Sequence, residues 1–393
     1  MNKHGCFSVR LAALLVTLLL ASCAQLQTAP TAAKDWSTTN TLMVVVEDPR
    51  SDRQRNNLGG PGYQTRLHYA DDPALTRRVQ SIARDHDLTV LTQWPVRNLK
   101  VLCFLIEKPS AEVLTRLEQD PRVKWVQPFN EFSLSTDPSR SQPVDRVQHF
   151  TQQHAESGEG IRVAVIDTAA DRTHPDLTRA MLQQHDFVGA RDTSDAESHG
   201  TAVVGLIAAR PHTDRGLRGL AHKADVDLLR ACWQEDDGPG KCNTLTLALA
   251  LDAAIDLQPD ILNLSLSGRH DRVLQALIEK LVQQGVLIIA AYDEVRQVDK
   301  RFPAPEPGIV YAYGHNGGAG GMSMPQGTGS EATVISAPRE AFTTTPAGGY
   351  DLVSGHSIAA PQIAAIAACL MQRHPDSSRA DIQAQLKYWL LGG

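Results

Sequence analysis

A serine hydroxyl, an imidazole and a carboxylate can together cleave an acyl bond without a cofactor. The imidazole takes the hydroxyl's proton and later returns it, while the carboxylate orients and stabilises the imidazolium. This chain carries each group in suitable surroundings. The apolar run Val163-Ala164-Val165-Ile166 ends in Asp167, at the carboxyl edge of a predicted strand, where open α/β sheets place their ligands. His199 precedes Gly200-Thr201-Ala202-Val203-Val204-Gly205, a predicted helix whose small residues permit close packing on a sheet. Ser357 lies within Ser354-Gly355-His356-Ser357-Ile358-Ala359-Ala360-Pro361, at the start of another helix, whose dipole favours negative charge developing there. Taken singly, each is an ordinary cap or turn residue.

Taken together, in the order Asp, His, Ser, the three segments resemble the subtilisin-like serine protease family, whose motifs read approximately Asp-Thr-Gly, His-Gly-Thr and Gly-Thr-Ser-Met-Ala-Ala-Pro. The resemblance spans residues 148–393. It includes Asn263-Leu264-Ser265-Leu266-Ser267-Gly268, similar to the strand lining the family's substrate cleft, and Ser336-Ala337-Pro338 and Thr343-Thr344-Thr345-Pro346 ahead of the nucleophile. It implies an endopeptidase with Asp167, His199 and Ser357 as its triad. A peptide or protein substrate would add as a strand along Leu264, Ser265, Leu266, Ser267 and Gly268. It implies no cofactor and no catalytic metal; structural calcium in surface loops occurs in the family, and no compact motif identifies such a site in this chain. The α/β-hydrolase lipases and esterases run Ser, acid, His, which the order here excludes.

One departure from the family bears on the chemistry. Relatives present Ala-Ala-Gly-Asn, whose amide donates to the oxyanion, whereas this chain has Ala290-Ala291-Tyr292-Asp293. Asp293 then stands at the oxyanion position, and an ionised carboxylate has no hydrogen to donate. Removing that donor in a member of the family costs roughly 10²- to 10³-fold in rate. Three readings stand: Asp293 is kept protonated by burial and donates at mildly acidic pH; the reaction runs slowly on the Ser357 N–H and another donor; or the cleft binds peptides without turnover. Ala169 replaces the glycine of Asp-Thr-Gly, and His356 replaces the threonine before the nucleophile, where packing or surface placement is expected.

The elements around these residues are consistent with the resemblance. Strand-like and helical runs alternate over 163–166, 199–209, 226–231, 245–254, 261–266, 273–283 and 287–291, which predicts an α/β fold with a mostly parallel sheet and helices on both faces. Ahead of it, over residues 41–135, strands at 42–46, 88–91, 99–106 and 123–126 and helices at 72–86 and 110–118 give the order β-α-β-β-α-β. That order resembles the small α+β, ferredoxin-like propeptide domain that chaperones and blocks many subtilisin-like enzymes; an unrelated ferredoxin-like module has the same order. Residues 136–147, with Pro138 and Pro143 in a polar stretch, read as a linker. If the module works as a propeptide, it is the enzyme's own partner, and the cut falls between Phe132 and Arg140.

Lys3, His4 and Arg10 precede the apolar run Leu11 to Ala21, too short for the roughly twenty residues of a spanning helix, so residues 1–22 read as an export signal. Leu20-Ala21-Ser22-Cys23 resembles a lipobox, making Cys23 a lipidated first residue and a membrane its partner. Ala24 after that cysteine resembles outer-membrane sorting, facing periplasm or surface, and residues 23–40 form a tether. Export permits a disulfide between Cys232 and Cys242, which flank a polar loop; metal binding by the pair is the alternative. Cys103 and Cys369 sit in apolar runs as small hydrophobes. With 393 residues, 42% of them hydrophobic, the chain can bury one sizeable core and a smaller domain, and its net charge of −6 without a basic stripe argues against nucleic acid as a partner.

Overall fold

The computed structural model describes residues 38–47, 73–134, 155–189, 197–213, 216–234, 240–292, 301–315 and 333–391. The N-terminal module runs Thr41–Glu47 (β1), Pro73–Asp85 (α1), Val90–Val96 (β2), Val101–Glu107 (β3), Ala111–Glu118 (α2) and Val123–Pro128 (β4). Its antiparallel sheet is ordered β2-β3-β1-β4. Strand alternation sends Val44 and Val46 to a cluster with Val79 and Ile82 of α1 and Leu117 of α2. The intervening Met43 and Val45 enter a larger core shared with the rest of the chain. Both faces are covered, which explains why Leu42-Met43-Val44-Val45-Val46 and Val101 to Ile106 are continuously apolar.

The following elements are Glu131–Leu134 (β5), Arg162–Asp167 (β6), Met181–Asp186 (β7), Ser198–Ala208 (α3), Asp225–Arg230 (β8), Cys232–Trp233 (β9), Lys241–Asn243 (β10) and Thr244–Leu257 (α4). Then come Ile261–Leu264 (β11), Leu266–Arg269 (β12), Arg272–Gln283 (α5), Leu287–Ala291 (β13), Arg301–Phe302 (β14), Ile309–His315 (β15) and Thr333–Pro338 (β16). The hairpin Glu340–Thr345 (β17) and Gly349–Ser354 (β18) leads into His356–Arg373 (α6), and Arg379–Leu391 (α7) closes the described chain.

Seven strands form a parallel sheet ordered β16-β15-β13-β11-β6-β8-β7. Val163 and Val165 of β6 point to the face covered by α3 and α6, while Ala164 and Ile166 point to the face covered by α4 and α5. The helices start where the sequence supplies caps. The Asn243 side chain accepts from Thr246 N while its own backbone N–H donates to the Thr246 hydroxyl oxygen, and Asp271 accepts from Val273 N and Leu274 N.

A second sheet is ordered β14-β12-β5-β10-β9. Its middle strand, β5, follows the module directly, so the module's own sheet ends at Pro128 and its last residues belong to another sheet. The predicted strand 261–266 is divided at Ser265 into β11, in the parallel sheet, and β12, in this second sheet. The signal at 1–22, Cys23, the tether up to residue 37, the linker at 136–147 and Asp293 lie outside the described residues.

Candidate active site

Asp167 ends β6, His199 sits in the first turn of α3 and Ser357 in the first turn of α6. His199 Nδ1 lies 2.7 Å from Asp167 Oδ1, and His199 Nε2 lies 3.0 Å from Ser357 Oγ. Asp167 and Ser357 are fully buried and His199 nearly so. A carboxylate accepts only, so the Nδ1–H tautomer is the one that fits, leaving Nε2 to accept the Ser357 proton. Asp167 Oδ1 also accepts from Thr168 N at 2.7 Å, which fixes the carboxylate plane.

The positioning groups are local. Gly200 N donates to Thr168 Oγ1 at 2.9 Å, and a Cβ on Gly200 would lie 2.4 Å from Thr168 O and 2.6 Å from Ala169 O. Only glycine lets α3 approach the end of β6 this closely. Glu197 accepts from Ala169 N (2.7 Å), Gln234 N (2.9 Å) and Arg230 Nε (3.2 Å), so a buried ion pair holds the loop after Asp167 against β8. Ala169 is itself fully buried, and its methyl is accommodated where the family has glycine. Thr343 Oγ1 and Thr344 Oγ1 donate to Ala202 O and Thr201 O at 2.9 and 2.8 Å, which fastens β17, and through its hairpin α6, to α3. His356 is buried rather than at the surface: its Nδ1 accepts from Gly314 N at 2.8 Å and its ring lies 5.1 Å from that of Tyr313.

Beside the three residues runs a groove between β10 and β12, filled by β5. Phe132, Ser133 and Leu134 pair antiparallel with Gly268, Ser267 and Leu266, and Glu131, Phe132 and Ser133 pair with Asn243, Cys242 and Lys241. A Cβ on Gly268 would lie 2.0 Å from Phe132 Cδ1, so the missing side chain makes the seat for the Phe132 ring, which also meets Phe302 edge-on at 5.4 Å. Leu134 N donates to Gly240 O at 2.9 Å. Of the five residues expected along a bound strand, Leu266, Ser267 and Gly268 line the groove. Leu264 instead lies inside the parallel sheet between Ile166 and Ala290, because the chain leaves that sheet only at Ser265, whose Oγ accepts from Asn263 Nδ2 at 2.9 Å.

Cys232 and Cys242 face each other across β9 and β10 and are disulfide-bonded, which ties down the second groove wall. That wall is a three-residue strand, too short to be read from periodicity. Burial pushes the Cys103 thiol well up and the Cys369 thiol up to about 12, so both are unreactive. Among the described residues no cluster of His, Cys, Asp and Glu could hold a metal ion.

A buried hydroxyl, imidazole and carboxylate at the carboxyl ends of a parallel sheet, next to a groove built to receive an extended strand, define a scaffold for serine-dependent peptide hydrolysis. Residues 158–388, more than half of the chain, match the model of the subtilase family, and the chain belongs to that family as a subtilisin-like serine endopeptidase. Subtilisin E of Bacillus subtilis (strain 168) is 27% identical over 289 residues, covering 70% of this chain and 72% of its own. M-protease of Shouchella clausii (strain KSM-K16) is 26% identical over 334 residues, covering 82% and 84%. This is more of the chain than residues 158–388 occupy, so the likeness reaches into the residues ahead of them. Fervidolysin from Fervidobacterium pennivorans superposes with a TM-score of 0.63 at 18% identity, over 88% of this chain and 57% of its own length, a likeness of fold.

Proposed function

We propose that this chain is an exported, lipid-anchored proenzyme in which Ser357 is the nucleophile, His199 the general base and acid, Asp167 its orienting partner, and residues 41–135 an inhibitory propeptide. The observation that carries the reading is β5: residues of the N-terminal module fill the groove between β10 and β12 as an antiparallel strand, in the manner of a bound substrate. Polar contacts hold the module alongside. Asn98 N donates to Asp252 Oδ1 at 2.9 Å, Asn130 Nδ2 to Asp271 Oδ2 at 3.1 Å, and Arg97 pairs with Asp256 at 2.9 Å. The Arg272 guanidinium lies over Trp125 at 4.3 Å. Cleavage between Phe132 and Arg140 would free the groove, and lipid on Cys23 would keep the module in a bacterial envelope, at the outer membrane.

In the cleavage step the Ser357 hydroxyl attacks the scissile carbonyl while His199 Nε2 takes its proton, and the imidazolium then protonates the leaving amine. The N-terminal end of α6 lies where the oxyanion develops. A second reading, a cleft that binds peptides without turnover, is favoured by Asp293 in the family's asparagine position.

The test is labelling of the exported chain by a fluorophosphonate serine probe across pH 4 to 8, with Ser357→Ala as control and N-terminal sequencing of any processed product. Labelling that requires Ser357, with a new N-terminus between residues 132 and 140, supports the reading. A processed chain that labels at no pH favours the binding protein, and membranes that hold only uncut chain count against self-processing.

A further inference from the structure

Arg301 is a buried cation whose charge no described residue answers. It is 1% exposed, and its Nε, Nη1 and Nη2 make no hydrogen bond among the described residues. Its guanidinium lies between two aromatic faces, 4.9 Å from the ring centre of Tyr292 and 4.6 Å from that of Tyr311. Tyr311 donates its hydroxyl proton to Pro303 O at 2.6 Å. Stacking on rings attracts a cation but leaves its five donors unmet, and arginine does not shed its charge to escape burial. Such a group is costly unless something supplies a carboxylate.

The place of Arg301 says where that carboxylate comes from. Its strand, β14, pairs with groove strand β12, Phe302 opposite Gly268 and Arg301 opposite Arg269. Phe302 turns its ring to Phe132, so strand alternation turns Arg301 to the other side, toward Tyr292 just beyond β13. A peptide in the groove runs from the position opposite Gly268 to that opposite Leu266, and its next residue heads for the carboxyl ends of β11 and β13. There Tyr292 meets Tyr313 at 5.8 Å, and Tyr313 meets His356, the neighbour of Ser357, at 5.1 Å. The side chain arriving between Tyr292 and Ser357 belongs to the residue whose carbonyl is attacked.

We propose that Arg301 is the specificity determinant of this peptidase toward other proteins and that it cuts these after acidic residues, whose carboxylate meets the guanidinium in a two-pronged ion pair. The inference rests on the reading of Ser357 as nucleophile. The tyrosines wall the pair from water, so a neutral isostere leaves Arg301 buried and unmet, and discrimination on the order of 10²-fold follows.

The experiment uses the exported chain once processing has freed its groove, and two fluorogenic peptides, Phe-Ser-Leu-Glu and Phe-Ser-Leu-Gln, whose first three residues copy 132–134. The expected result is a kcat/KM ratio of about 10² in favour of glutamate at pH 7, falling toward unity below about pH 4 as the peptide's carboxyl protonates. Arg301→Gln should bring the ratio to about 1 while the glutamine peptide is still cut. The wild-type ratio and its pH dependence decide the matter even if that variant does not fold. A wild-type ratio near 1, or a preference that survives Arg301→Gln, overturns the inference; in the first case a carboxylate of the chain, such as one in 293–300, answers the charge. Ser357-dependent probe labelling without acid preference, or without cleavage of either peptide, defeats this inference alone. Absence of both labelling and cleavage defeats the triad reading and this inference with it.

Discussion

At the scale of single residues, chemistry depends on what surrounds the three groups as much as on the groups themselves. Gly200 shows this through steric contact: a methyl there would press on Thr168 O and Ala169 O, the backbone that carries Asp167. Gly200→Ala is expected to push α3 off the end of β6 and lengthen the His199 to Asp167 hydrogen bond. Activity should fall at least 10²-fold, since a misplacement of about 1 Å costs that much, and thermal unfolding should show destabilisation of about 1–3 kcal/mol. Unchanged turnover would mean the contact is relieved elsewhere. Asp293 makes the electrostatic case. If Asp293 stands at the oxyanion position, Asp293→Asn supplies an amide donor there, and kcat at pH 7.5 should rise by roughly 10²- to 10³-fold. If wild-type activity depends on a protonated Asp293, the variant should also lose the acid preference of the parent, which a pH profile of kcat/KM reads directly.

At the scale of elements, the N-terminal module is held together at one corner by charge. Asp120 accepts from Arg122 Nη2 at 2.5 Å and from His86 at 2.8 Å, and Arg122 reaches Asp85 at the end of α1 at 2.7 Å. The Arg122 guanidinium holds the Asp120 carboxyl well below the usual carboxylate range. The folded-state pKa is depressed, so the stabilisation is fully present above about pH 4, the unfolded value, and is lost as pH falls toward the folded one. Asp120→Asn should therefore loosen the join between α1 and β4 at pH 7 by about 1–3 kcal/mol, read as faster amide exchange in the module, and the difference from wild type should shrink below pH 4. Sequence gave access to elements of this kind where their signals are local. The module's helices and strands, β6, α3 and the start of α6 carry strong apolar runs or caps within a few residues. Strands β10 and β14, with three and two residues, have no period to read, yet they build a groove wall and place Arg301. Strands β15 and β16 are not legible in the sequence because tyrosines, glycine and polar residues interrupt their apolar runs, and only the sheet supplies the neighbours that make them strands.

At the scale of the whole molecule, anchoring and processing would conflict if cleavage after the module released the peptidase part from Cys23. The core removes the conflict. Met43, Val45, Trp94, Val96, Cys103 and Leu105 of the module pack in one hydrophobic cluster with Leu247, Leu251, Leu274 and Leu277 of α4 and α5, and the described residues of the module and of the rest of the chain belong to one compact unit. Polar contacts close its edge, with Asp252 accepting from Asn98 N at 2.9 Å and facing Arg97 Nε at 3.5 Å while almost wholly buried. An apolar interface of this kind holds without a peptide bond, so if Cys23 carries the proposed lipid, the processed peptidase part should remain with the membrane fraction through the module. Asp252→Lys places a buried cation against Arg97 and costs about 3–5 kcal/mol at the interface. After processing, the variant's peptidase part should appear in the soluble fraction while the module stays behind, and Cys23→Ser should release both together. Wild-type peptidase part found free of the module after processing would show that the shared core does not outlast the cut, and that the lipid anchors only the precursor.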